Sequence, residues 1–95
     1  MAKTTEVIIA YDIEDNKTRT RLFNQLKDVG MISIQKSVMW GRLLPADIKL
    51  AKRILSSEIE SGNDKVFILV SKLSENAQFY GLAPDFEEYD GHGIF

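Results

Sequence analysis

The stretch MISIQKSVMWGRLL, Met31 to Leu44, decides the fold. Ile32 and Ile34 alternate with polar residues, and then Val38, Met39, Trp40, Leu43 and Leu44 resume out of phase. Side chains on a strand repeat every two residues, so a phase break around Lys36-Ser37 means a tight turn between two short strands or a bulge within one. No Asn-Gly or Asp-Gly marks a turn here; two strands are the favoured reading. Working outward, Leu22, Phe23, Leu26 and Val29 fall on one helical face, with Asp15 or Asn16 suited to cap its start and Gly30 to stop it. Before that helix, Thr4 to Ile13 reads as a strand whose unbroken apolar run, Val7 to Ala10, fits a central position buried on both faces. After the pair, Pro45 suits a helix first turn, Ile48, Ala51, Ile54, Leu55 and Ile59 make its apolar stripe, and Ser61-Gly62-Asn63-Asp64 ends it. Lys65 to Leu73, with VFILV at its centre, is a further strand. The order β-α-β-β-α-β predicts an α+β, ferredoxin-like sandwich with both helices on one sheet face. The opposite face is left open and calls for a partner.

Ninety-five residues, 44% of them apolar, make one domain with a thin core that association would enlarge. The charge divides the chain. All twelve Lys and Arg lie in residues 1–73 against nine acids, whereas residues 74–95 hold five acids and no Lys or Arg. Residues 1–73 therefore read as the ferredoxin-like core and 74–95 as an acidic C-terminal tail, with one short strand expected around Gln78–Leu82. In that tail Asp85, Glu87, Glu88 and Asp90 interleave with Phe86 and Tyr89, a pattern suited to docking on a basic surface. The absence of cysteine excludes disulfides, zinc ribbons and thiol chemistry. No apolar run approaches the roughly 18 residues a bilayer span needs, so the expected location is cytoplasmic.

Asp12 leads the candidates for chemistry. It follows Tyr11 at the carboxyl end of the central strand, held rigidly yet able to reach the sheet edge. With no cysteine and His92 the sole histidine, a metal site here must be built of oxygen ligands, which points to Mg²⁺, Mn²⁺ or Ca²⁺. One Asp is an incomplete site. Its complement is either a second copy of Asp12 across a two-fold axis or Glu14 or Asp15 from the same loop; alternatively Asp12 merely ends the strand and accepts loop N–H groups. Arg19 and Arg21 suit phosphate, Arg21 reading rather as part of a solvated helix face. Lys49, Lys52 and Arg53 share one helical face that fits either a nucleic-acid backbone or plain solvent. His92, in Gly-His-Gly, has no partner at motif spacing and reads as incidental.

The order Tyr11-Asp12-Ile13, Asp15-Asn16-Lys17-Thr18-Arg19, Gly30, Gln35-Lys36-Ser37-Val38 and Gly41 resembles the CRISPR-associated protein two family, the small subunit of the spacer-acquisition machinery. The resemblance spans essentially the whole chain. It implies a homodimer with open sheet faces packed together and a C-terminal segment lying on the partner subunit or on the integrase. It implies that Asp12 is the Mg²⁺ ligand (Mn²⁺ as an alternative) of an endonuclease acting on RNA or double-stranded DNA. It implies that the dimer bridges integrase dimers and holds prespacer duplex DNA by its backbone, with Arg19 matching the family's basic residue in the first helix. Met39 stands where the family usually has Phe, and Trp40 where an acidic residue is common, so that position offers no carboxylate. Two other classes fit the same residues: a stand-alone, toxin-like ribonuclease of related fold, and a non-catalytic ferredoxin-like regulatory module.

Overall fold

In the computed structural model, which describes residues 3–60 and 62–86, the elements run β1 (Thr5–Asp12), α1 (Asn16–Val29), β2 (Ile32–Gln35), β3 (Val38–Leu43), α2 (Pro45–Glu58), β4 (Lys65–Val70) and a one-turn helix α3 (Leu73–Asn76). The four strands form a single antiparallel sheet in the order β2-β3-β1-β4. This is the ferredoxin-like arrangement that the element order predicts. β1 is central, bonded to β3 on one side and β4 on the other, which is why its Val7, Ile8 and Ile9 are all buried. Both long helices cover one face: Leu22 and Leu26 from α1 and Ala51 and Leu55 from α2 pack on Val7, Ile9, Tyr11, Met39 and Leu43.

The phase break in Met31–Leu44 contains both a turn and a bulge. Gln35 and Val38 are cross-strand partners around the two-residue turn Lys36-Ser37, and the register shifts between Ser33 and Gln35, leaving Ile34 as the extra residue. Ser37, the second turn residue, takes the left-handed conformation (φ 64°), a role more often given to Gly or Asn. Two glycines fix how α1 hands over to the hairpin. Gly30 caps α1 at φ 117°, its N–H donating to the Leu26 and Lys27 carbonyls, and Met31 N–H also donates to Leu26 O. Gly41 on β3 lets that cap pass close by: a Cβ there would lie 3.1 Å from Met31 Cγ and 3.3 Å from Gly30 O.

β1 is one residue shorter at each end than the sequence reading, and three larger differences stand out. α2 ends at Glu58, before the Gly62 loop, where Ile59 turns extended. β4 ends at Val70 rather than Leu73, because after Ser71 N–H donates to Glu6 O the chain turns into α3. Gln78–Leu82 is not a strand: no fifth strand joins the sheet among the described residues. The segment instead crosses the sheet face opposite the helices, where the Phe86 ring sits edge-on to Trp40 at 4.6 Å and Phe79 lies 5.7 Å from Phe86. It leaves β4 as an edge with Phe67, Leu69 and Val70 exposed (58, 49 and 64%). The expected acidic docking residues Glu87, Glu88 and Asp90, with Tyr89 and His92, lie outside the described residues. No described helix is long and apolar enough to cross a membrane.

Candidate metal and nucleic-acid sites

The end of β1 is held from both sides. Tyr11 N–H donates to Ser37 O at 3.0 Å, and Tyr11 and Asp12 are cross-strand partners of Val66 and Lys65. Strand alternation sends the two side chains to opposite faces. Tyr11 is buried against the helices, and burial pushes its phenol pKa up while the charge of Arg19 opposes the shift. Asp12 is exposed on the face without helices, on a backbone paired with Lys65 of β4.

Of the two loop acids, Glu14 is exposed and Asp15 is engaged elsewhere. Asp15 caps α1, accepting from Thr18 N at 2.8 Å and from Thr18 Oγ1 at 2.9 Å. Those two bonds, backbone first, and then the nearby Lys17 and Arg21 charges hold its pKa below the usual carboxylate value against a small opposing effect of burial. Among the described residues no group of three or more His, Cys, Asp or Glu comes close enough to hold a metal ion. A hard divalent cation takes oxygen ligands and is often bound through one or two carboxylates plus substrate phosphates and water. Asp12 fits that donor type, but a single carboxylate is an incomplete site.

The basic candidates fall into two places. Arg19 reaches back over the β1–α1 loop, Nη1 donating to Ile13 O at 2.7 Å and Nη2 to Asn16 Oδ1. It closes the loop that follows Asp12, a positioning role that composition could not reveal. Lys49, Lys52 and Arg53 are all exposed on α2, and none forms an ion pair among the described residues. They lie on the helix layer, so the structure does not gather them with Asp12. Arg21, by contrast, is engaged: its Nε donates to Glu58 Oε1 at 2.8 Å, tying α1 to α2.

One cluster escapes the sequence reading. Glu6, half-buried at the start of β1, accepts from Trp40 Nε1 at 3.0 Å and from Ser74 N at 3.0 Å. The Arg42 guanidinium lies 4.9 Å over the Trp40 ring. Burial alone would raise the Glu6 pKa, but the Ser74 and Trp40 hydrogen bonds and the Arg42 charge outweigh it, and the carboxyl sits below the ordinary 4.5. The cluster fastens residues 73–86 to the sheet. A lone Glu at the head of an apolar strand was the available signal, but its partners lie 34 and 68 positions away.

Comparison with known proteins places this geometry. The family model described as CRISPR associated protein Cas2 matches residues 5–79. The CRISPR-associated endoribonuclease Cas2 1 of Francisella tularensis subsp. novicida is 41% identical over 91 residues, covering 93% of each chain. A CRISPR-associated endonuclease Cas1/endonuclease Cas2 fusion of Thermoproteus tenax is 34% identical over 62 residues, 65% of this chain and 24% of the fusion. The crystal structure of Streptococcus pyogenes Cas2 superposes with a TM-score of 0.70 over 80% of this chain and 99% of that one; at 19% identity it speaks for the fold alone. With most of its length matched by the family model and by a relative of this identity, the chain belongs to the CRISPR-associated protein Cas2 family.

Proposed function

We propose that the chain is a spacer-acquisition subunit that pairs with a second copy through its helix-free sheet face, holds prespacer duplex DNA by its backbone and bridges integrase dimers. We propose in addition that the pair carries Mg²⁺-dependent phosphodiester hydrolysis centred on Asp12, with Mn²⁺ as a substitute ion. The observation that carries this reading is the company Asp12 keeps. Its carboxylate is exposed on the sheet face where Phe67 and Leu69 are also exposed. A second copy covering those side chains would bring its own Asp12 and supply the carboxylate that one chain lacks. The Thermoproteus tenax fusion, which joins Cas1 and Cas2 in one polypeptide, supports an integrase partner.

Each residue then has a limited task. Asp12 would hold the ion at a fixed strand end. Bound there, Mg²⁺ supplies phosphate polarisation and an activated water. Arg19 keeps the loop after Asp12 closed through Ile13 O. Lys49, Lys52 and Arg53 offer three positive charges to a phosphate backbone, and the charge neutralised there makes affinity fall with salt. The name of the Francisella relative, an endoribonuclease, supports RNA as a second substrate.

Two variants separate these roles. Asp12→Ala is expected to abolish Mg²⁺-dependent cleavage of RNA and duplex DNA while spacer integration with the partner integrase persists; cleavage that survives it removes Asp12 as the ligand. Neutralising Lys49, Lys52 and Arg53 together is expected to weaken duplex binding and to flatten its logarithmic salt slope by up to about 0.9 for each phosphate that the ridge neutralises. An unchanged slope would show that DNA lies elsewhere.

A further inference from the structure

A cavity of about 290 Å³ opens on the helix side of the β1 end, across the strand from Asp12. Arg19, Thr20 and Phe23 of α1 form one wall, Ser33, Lys36 and Ser37 of the β2–β3 hairpin the other, with Tyr11 between them. Two cations line it and no carboxylate does. Tyr11 is only 8% exposed, and its hydroxyl has no hydrogen-bond partner among the described residues. The ring is packed in the core while the hydroxyl, which is not among the buried unpaired polar atoms, opens into the cavity and can donate to a ligand there. Arg19 is already fixed in place by Ile13 O and Asn16 Oδ1. A guanidinium has about five N–H donors in a planar fork, so most of them stay available to a ligand. The Thr20 and Ser37 hydroxyls, which make no hydrogen bond as donors among the described residues, complete a set of donors around a positive pocket.

We propose that this cavity binds the terminal phosphate of a nucleic-acid strand. Arg19 and Lys36 balance its charge, the Tyr11 hydroxyl donates to it, and Phe23 lies beside the terminal sugar and base. The inference extends the nucleic-acid reading above and rests on it. A phosphomonoester carries more charge than a backbone diester and presents three oxygens to this many donors. The volume lies near the lower end of small-ligand pockets, room for one nucleotide but not for a run of strand. The site is separate from both Asp12 and the α2 ridge: a strand end would sit here while its backbone runs elsewhere.

Calorimetric titration of the full chain without divalent ion tests this. The ligands are a 5′-phosphorylated thymidine dinucleotide, the same dinucleotide without the phosphate, and inorganic phosphate. The phosphorylated dinucleotide should bind about tenfold tighter than the unphosphorylated one, the scale of a hydrogen bond to a charged group. Tyr11→Phe, which keeps the ring in the core, and Lys36→Ala, at an exposed turn, should each remove most of that preference. Equal affinity for the two dinucleotides overturns the proposal, as does a preference unchanged in both variants. Inorganic phosphate binding as tightly as the dinucleotide overturns the strand-end assignment. Duplex affinity is measured in parallel: normal duplex binding with no preference for a phosphorylated end sinks the cavity alone and leaves the backbone reading standing.

Discussion

The two faces of the sheet are built on different principles. On the helix side, Val7, Ile9, Met39 and Leu43 meet Leu22, Leu26, Ala51 and Leu55 in a closed apolar cluster with almost no exposure. On the other side Ile8 and Trp40 are equally buried, but what covers them is a short crossing segment fastened by the Glu6 carboxylate, Ser74 N–H and an edge-on Phe86. Beyond that segment the face is left apolar and exposed at Phe67 and Leu69. The difference teaches which contacts close the fold and which surface is left open. The helix face closes the fold within one chain, through contacts that need no pH or partner. The other face is held by a few polar contacts and leaves apolar area for association.

The largest effect should therefore come from the helix face. Ile9 is fully buried on the central strand, and Ile9→Ala should cost about 2–5 kcal/mol, lost transfer energy plus a residual cavity. That is a large share of the roughly 5–15 kcal/mol that holds a domain folded. Urea unfolding followed by circular dichroism would show the midpoint falling with little change in slope. On the other face, Trp40→Phe keeps most of the ring but deletes the indole N–H that Glu6 accepts. The cost is expected at about 1–3 kcal/mol, since the hydrogen bond removed is one to a charged group. Its signature should be local: limited proteolysis within residues 73–86 rises before the core opens. If cleavage and global unfolding rise together, the crossing segment is part of the core and the contrast between faces fails.

Much of the fold was legible, because the evidence for it is local. Apolar spacing marked both helices, Gly30 marked the end of α1, and the phase break at Lys36-Ser37 marked the hairpin. The boundaries that slipped were set by partners distant in sequence. β4 stops early because Ser71 N–H is taken by Glu6 O and the chain turns into α3, and nothing near Leu73 announces that. The site was legible in part. Asp12 stands out by residue type at a strand end. The exposed ridge of Lys49, Lys52 and Arg53 follows from helical spacing. Arg19 could not be seen to hold Ile13 O, since a phosphate-binding Arg and a loop-closing Arg look alike in sequence. Tyr11 was hidden for the converse reason: a tyrosine in an apolar run reads as core, and only the fold shows a hydroxyl without a partner facing Arg19 and Lys36.

A smaller effect should follow acidification, and its sign is fixed. The folded Glu6 carboxyl has a pKa below the ordinary 4.5, so its stabilising contacts are present at full strength above that value and are lost as pH falls through the folded value. Asp15 acts in the same sense from an ordinary 3.8 downward, but it reports on the start of α1. Trp40 fluorescence should change in acid below pH 4.5, ahead of helix loss by circular dichroism, and Glu6→Gln should remove that early step. A tryptophan signal that changes only together with helicity would mean that the Glu6 contacts have no separate hold on the segment.

The smallest effect on the single chain should carry the most information about the exposed face. Leu69 sits on the edge strand opposite Ile8 and is 49% exposed, so Leu69→Lys should change the stability of the isolated chain by no more than about 0.5 kcal/mol. Charge on an edge strand is also a common natural guard against pairing. If a second copy covers this face, folding and association are linked, and the wild-type midpoint must rise with protein concentration. The variant should lose that dependence and sediment at half the mass, with its midpoint equal to that of dilute wild type. Retained dimer in the variant would move the interface off the Phe67–Leu69 surface, and with it the argument that the pair brings two Asp12 carboxylates together. A lower midpoint in dilute solution would instead make Leu69 part of the core, and the two faces would then differ less than their burial suggests.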